Sequence, residues 1–105
     1  MEVSYFDYTL EKFISRLEKA TIAKVLRAIG LLERFGSALG MPHSKKVLPQ
    51  LFELRIRGQQ EVRILYAFYK NNTAVLLHGF IKKSERIPTR ELHVAVQKLR
   101  ALDIA

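Results

Sequence analysis

Three strand-like runs joined by two very short turns occupy Leu51 to Ile81, and they constrain the fold more than any other part of the chain. In the first, Phe52, Leu54 and Ile56 alternate with Glu53, Arg55 and Arg57, which predicts one buried and one polar face. Gly58-Gln59-Gln60 supplies a hairpin turn. The second run, Val62 to Tyr69, is apolar on both faces and belongs in the middle of a sheet. Asn71-Asn72 turns the chain again, and Ala74 to Ile81 is a third, nearly continuous apolar run. Connections this short make the neighbours antiparallel, because a parallel crossover needs a dozen or more residues. The expectation is an antiparallel β-meander.

Helical periodicity flanks it. Residues 3–8 read as a short edge strand. Leu10, Phe13, Ile14 and Leu17 then recur at helical spacing, with Asp7 or Thr9 as the cap. Ile22, Val25, Leu26, Ile29, Leu32 and Phe35 form a second, longer pattern, and Gly30 within it costs about 1 kcal/mol relative to alanine. Gly36, Gly40 and Pro42 end the helical region. Ser37 to Pro49 reads as a polar loop carrying His43, Lys45 and Lys46. Pro88 suits a first helical turn, and Leu92, Ala95, Val96, Leu99 and Leu102 complete a C-terminal helix. The predicted architecture is a single α+β domain over 1–105. It has two layers, with the two N-terminal helices on one face of the meander and a C-terminal helix after it.

The 105 residues suit one domain with one modest core. Eighteen Lys plus Arg stand against 10 Asp plus Glu, a net charge of +8 that favours an anionic partner. Arg55, Arg57, Arg63, Lys82 and Lys83 lie on or beside the predicted platform, and RNA is the natural partner for such a surface. Cysteine is absent, which excludes disulfides, thiolate metal sites and cysteine nucleophiles. No metal-ligand spacing links His43, His78 and His93, and no cofactor motif is present. The first residues show no basic region followed by an apolar run, and no apolar run nears the roughly 20 residues of a membrane span. A soluble cytoplasmic protein without a membrane partner is expected.

Particular residues then resemble a known family. Lys46-Val47-Leu48, Leu51-Phe52-Glu53-Leu54-Arg55, Arg63-Ile64-Leu65-Tyr66, Leu77-His78-Gly79-Phe80-Ile81-Lys82-Lys83 and the helix opening at Pro88 look like the RelE superfamily of bacterial toxins. The HigB-type, phage-derived branch is the nearest match, and the resemblance spans nearly the whole chain. It implies the toxin of a type II toxin–antitoxin system. The activity implied is that of a metal-independent, usually ribosome-dependent mRNA endonuclease. Its partners would be mRNA, the ribosome and a helix-turn-helix antitoxin, with the free toxin monomeric. Arg55, Arg57, Arg63 and the Lys82-Lys83 pair match basic positions of the family. Glu53 falls where RelE carries a lysine. Ser84 to Thr89 lacks the tyrosine that RelE stacks on a base.

For such cleavage the resemblance assigns Arg55, Arg63, Lys82 and Lys83 as catalytic. The two arginines would stabilise the phosphate, and the lysines would bind it or handle protons. A strand continuing through both lysines would point them to opposite faces, and Lys83 is then the one in the site. Lys45, Lys46, Glu53, Arg57, His78 and Arg86 complete the expected substrate contacts. Glu53 is either a proton acceptor or an ion-pair partner of Arg55. His78 is either a chemical group or a sheet-face histidine, and Tyr66 and Phe80 either stack on bases or fill the core. Two other readings stay open: a non-catalytic RNA-binding relative, and a ParE-like toxin acting on DNA gyrase.

Overall fold

A computed structural model describes residues 1–104. The chain runs β1 (Glu2–Tyr5), α1 (Tyr8–Ser15), α2 (Lys19–Phe35), a single 3₁₀ turn, β2 (Ser44–Leu48), β3 (Leu51–Ile56), β4 (Val62–Tyr69), β5 (Thr73–Ile81) and α3 (Thr89–Ile104). The strands form one mixed sheet in the order β1-β5-β4-β3-β2. β2 to β5 make an antiparallel meander, and β1 joins β5 in parallel. The doubly apolar β4 is central, as its composition requires. Asn71 and Asn72 close the β4–β5 hairpin at positive φ of 61° and 54°, a region that asparagine tolerates better than branched residues.

Two expectations are corrected. The segment read as a polar loop contains β2, a strand that places Ser44 opposite Leu54 and Lys45 opposite Glu53. An edge strand pairs on one side only and keeps most side chains in solvent, so it needs no apolar alternation. The architecture also has three layers rather than two. On one face α1 and α2 bury Leu54, Ile64, Tyr66 and Leu76 beneath Leu10, Ile14, Val25 and Leu32. On the other, α3 covers Leu51, Leu65, Ala67, Val75 and Leu77 with Ala95, Leu92, Val96 and Leu99. Consecutive β4 residues serve opposite cores because strand side chains alternate.

α2 runs through Gly30 without a break, but Leu26 and Phe35 of its apolar pattern are exposed. Asp7 sits at the start of α1 without capping it. Its Oδ2 instead meets Lys98 Nζ at 3.0 Å, and the same ammonium donates to the Leu77 carbonyl at 3.0 Å. This clamp ties α3 to β5 and to the β1–α1 corner. Pro88 precedes α3 and its carbonyl accepts the amides of Glu91 and Leu92, at 3.0 and 3.2 Å. Gly79 lets α1 lie directly on β5, since a Cβ there would stand 2.7 Å from Leu10 Cδ1 and 2.9 Å from the Phe13 ring.

Candidate functional site: a cationic sheet face

α3 covers only part of its face of the sheet. Beyond its reach the β3–β4 register sets Arg55 directly opposite Arg63. Two guanidiniums facing each other across a ladder repel unless a carboxylate intervenes. Glu53, two residues before Arg55, supplies it. Its Oε1 lies 3.6 Å from Arg55 Nε and its Oε2 3.7 Å from Arg63 Nε. Glu61, two residues before Arg63, adds a contact of 3.4 Å to Arg63 Nη1. That nitrogen also donates to the Val62 carbonyl at 3.0 Å. The side chains of Glu53 and Arg63 are each only 4% exposed, so these charges sit largely out of water.

The cluster keeps unused donors. The Nε atoms of Arg55 and Arg63 are buried and have no hydrogen-bond partner, because their distances to Glu53 exceed hydrogen-bond range. Leaving a buried donor unpaired costs about 1–3 kcal/mol. Arg55 Nη1 contacts Met41 Sδ at 3.4 Å. Beside Arg63 lies an open depression of about 300 Å³ lined also by Glu61, Lys82, Lys83, Ser84 and Glu85. β5 ends at Ile81, and the Lys82 amide still pairs with the Glu61 carbonyl at 2.6 Å. Both lysines line the depression, and because β5 ends before them the strand alternation that would admit only one does not apply.

Other candidates are dispersed. Lys45 lies opposite Glu53 on the cationic face, whereas Lys46 lies opposite Phe52 on the α1–α2 face. Arg57 and Arg86 are exposed, outside the buried cluster. His78 Nε2 meets Glu91 Oε1 of α3 at 2.9 Å, and its ring stacks near Phe80 with centroids 6.0 Å apart. Phe80 is opposite Arg63 in the register, so His78 sits two positions along β5 on the same face. Tyr66 is core, 1% exposed, with its hydroxyl 2.5 Å from Ser44 Oγ. Burial raises its pKa above the ordinary 10.0, and the Ser44 hydrogen bond offsets part of the rise. Phe80 is core as well.

Glu61 and Glu91 were not singled out from sequence. Glu61 had a legible signal, because Glu53-Leu54-Arg55 and Glu61-Val62-Arg63 repeat one Glu-x-Arg pattern. A period of two sets each carboxylate beside its own arginine. Glu91 had none, since its meeting with His78 depends on where α3 docks.

Residues 12–100 match the family described as Phage derived protein Gp49-like (DUF891). A comparison with curated proteins returned no match. Among the described residues no helix is long and apolar enough to cross a membrane.

Proposed function

The chain belongs to the phage-derived Gp49-like family, a toxin family of RelE-like type, and we propose that it cleaves mRNA on the ribosome as the toxin of a type II toxin–antitoxin pair. One observation carries the reading. Arg63 is held between carboxylates and borders a depression shared with Lys82 and Lys83. In metal-independent cleavage the ribose 2′-hydroxyl attacks its own phosphate, and negative charge grows on the phosphate oxygens. Cations fixed beforehand act on that charge without rearranging during the step. Arg63, Lys82 and Lys83 are assigned to this phosphate, and Arg55 to positioning through Glu53.

Glu53 is engaged by two guanidiniums, which disfavours it as the base. His78 is assigned that role. If its Nε2–H donates to Glu91, Nδ1 is left as the acceptor for the 2′-hydroxyl proton. The Lys83 ammonium is assigned to protonate the departing 5′-oxygen. The partners in this reading are mRNA, the ribosome and a helix-turn-helix antitoxin.

The test combines purified protein with programmed ribosomes and labelled mRNA, with mRNA alone in parallel, and maps new ends. Cleavage only with ribosomes is expected, slowed by about 10²–10³ in Arg63→Ala. No product from folded protein in either tube overturns the nuclease reading. The missing aromatic between Ser84 and Thr89 favours one alternative, an RNA-binding relative without cleavage. Salt-sensitive RNA binding without product would establish it.

A further inference from the structure

β1 covers only part of β5. Their ladder runs from Glu2 opposite Thr73 to Tyr5 opposite Leu76, and the Phe6 amide closes it on the Leu76 carbonyl at 2.8 Å. The chain then turns away into α1, while β5 continues to Ile81 with β4 on one side only. Lys98 occupies the Leu77 carbonyl. The Lys82 amide points toward β4, because it bonds Glu61 there. Alternate residues of an antiparallel strand present their backbone groups to opposite sides, so Gly79 and Ile81 direct theirs to the open edge.

Beside that edge, on the α1 side of the sheet, is a hollow of about 360 Å³. Phe13, Leu17 and Ile81 give it an apolar lining, and Thr9, Lys12 and Arg16 complete its wall. Ile81 is 37% exposed there. Lys12 and Arg16 are exposed too, and neither forms an ion pair among the described residues. The two sheet edges differ in protection. β2 carries Lys45, Lys46 and a register shift, features that discourage strand pairing. Gly79 and Ile81 carry neither charge nor proline.

We propose that this edge and hollow receive an extended acidic segment of a partner protein. The segment adds as a short strand beside β5, seats an apolar side chain in the hollow and sets carboxylates on Lys12 and Arg16. A polypeptide presents amides and carbonyls at the spacing the edge requires. RNA has no such ladder, and an apolar lining offers nothing to its phosphates. Acidity follows from the two unpaired cations beside the hollow. The inference goes beyond the nuclease reading and does not depend on it, because Arg63 lies on the opposite face of the sheet.

The test uses ¹⁵N-labelled full-length protein and a synthetic peptide alternating Glu or Asp with Val or Leu, compared with its Lys-substituted counterpart and with oligouridine. The acidic peptide is expected to shift the Gly79 and Ile81 amides most and to slow their exchange with solvent. Lys12→Glu with Arg16→Glu should weaken binding about tenfold or more, as lost complementary charge does. Ile81→Pro removes one edge amide that β4 does not use, and should weaken binding while the other amide signals keep their folded dispersion. No binding up to about 1 mM, a short-peptide affinity limit, overturns the proposal. So does binding centred on Lys82 and Lys83, an equal response to the Lys-substituted peptide, or an equal response at Gly79 and Ile81 to oligouridine. Messenger cleavage is read separately, so failure of either idea leaves the other standing.

Discussion

The two faces of the sheet are built on opposite principles. Under α1 and α2 the side chains are apolar and almost fully enclosed, and the Tyr66–Ser44 hydroxyl pair is satisfied internally. Under and beyond α3 the apolar packing stops partway, and a buried Glu53–Arg55–Arg63 cluster with unpaired donors takes over. Apolar burial contributes about 1.5–3 kcal/mol for each large side chain. A buried ion cluster is poor value for stability, because desolvation consumes much of the Coulombic gain. The first face holds the molecule together. The second holds charged side chains beside an open depression.

Mutations on the two faces should separate these roles. Leu54→Ala, in the sealed face, is expected to cost about 3–5 kcal/mol in urea unfolding, through lost burial and a cavity. A cost below about 1 kcal/mol would mean that face is not the one that holds the fold. Glu53→Gln should cost about 2–3 kcal/mol, because two guanidiniums lose their shared counter-charge beside an open depression. Replacing Glu53, Arg55 and Arg63 together by methionine should recover most of that stability while abolishing RNA cleavage. If the triple variant stays as unstable as Glu53→Gln, the cluster is structural and the contrast fails.

Smaller effects sharpen the picture of the sealed face. Gly79→Ala forces a methyl against Leu10 and Phe13 and should cost about 1–3 kcal/mol, read as a lowered urea midpoint. Tyr66→Phe strands the Ser44 hydroxyl and should cost about 1 kcal/mol at neutral pH. The same variant tests the alkaline limb. Burial holds the folded Tyr66 hydroxyl protonated above its ordinary 10.0, whereas the unfolded chain ionises near that value. Its contribution is therefore full below about pH 10 and lost as pH rises through the folded pKa. Urea midpoints between neutral and strongly alkaline pH should fall less in Tyr66→Phe than in the parent.

β4 matched its expected bounds, Val62 to Tyr69, because alternation and turn residues act between near neighbours. β2 was missed because Lys45 and Lys46 on an exposed edge read as loop. The second helical layer was in principle legible. A strand apolar on both faces must be covered on both faces, and two helices on one side leave the other to α3. The cationic residues were legible one by one, but not which of them meet. Lys46 and Lys45 are adjacent in sequence and fall on opposite faces, while Arg55 and Arg63 are eight apart in numbering and fall opposite each other.

What the chain encodes locally is the meander, its turns and the apolar stripes of its helices, since those depend on periods of two and 3.6 residues. Register, layer order and helix length then decided the rest. They placed one carboxylate between two arginines, joined His78 to Glu91, sent both lysines to one depression and left the end of β5 paired on one side only. Those outcomes depend on residues distant in sequence meeting across strands and layers, and only the folded arrangement brings such pairs within reach.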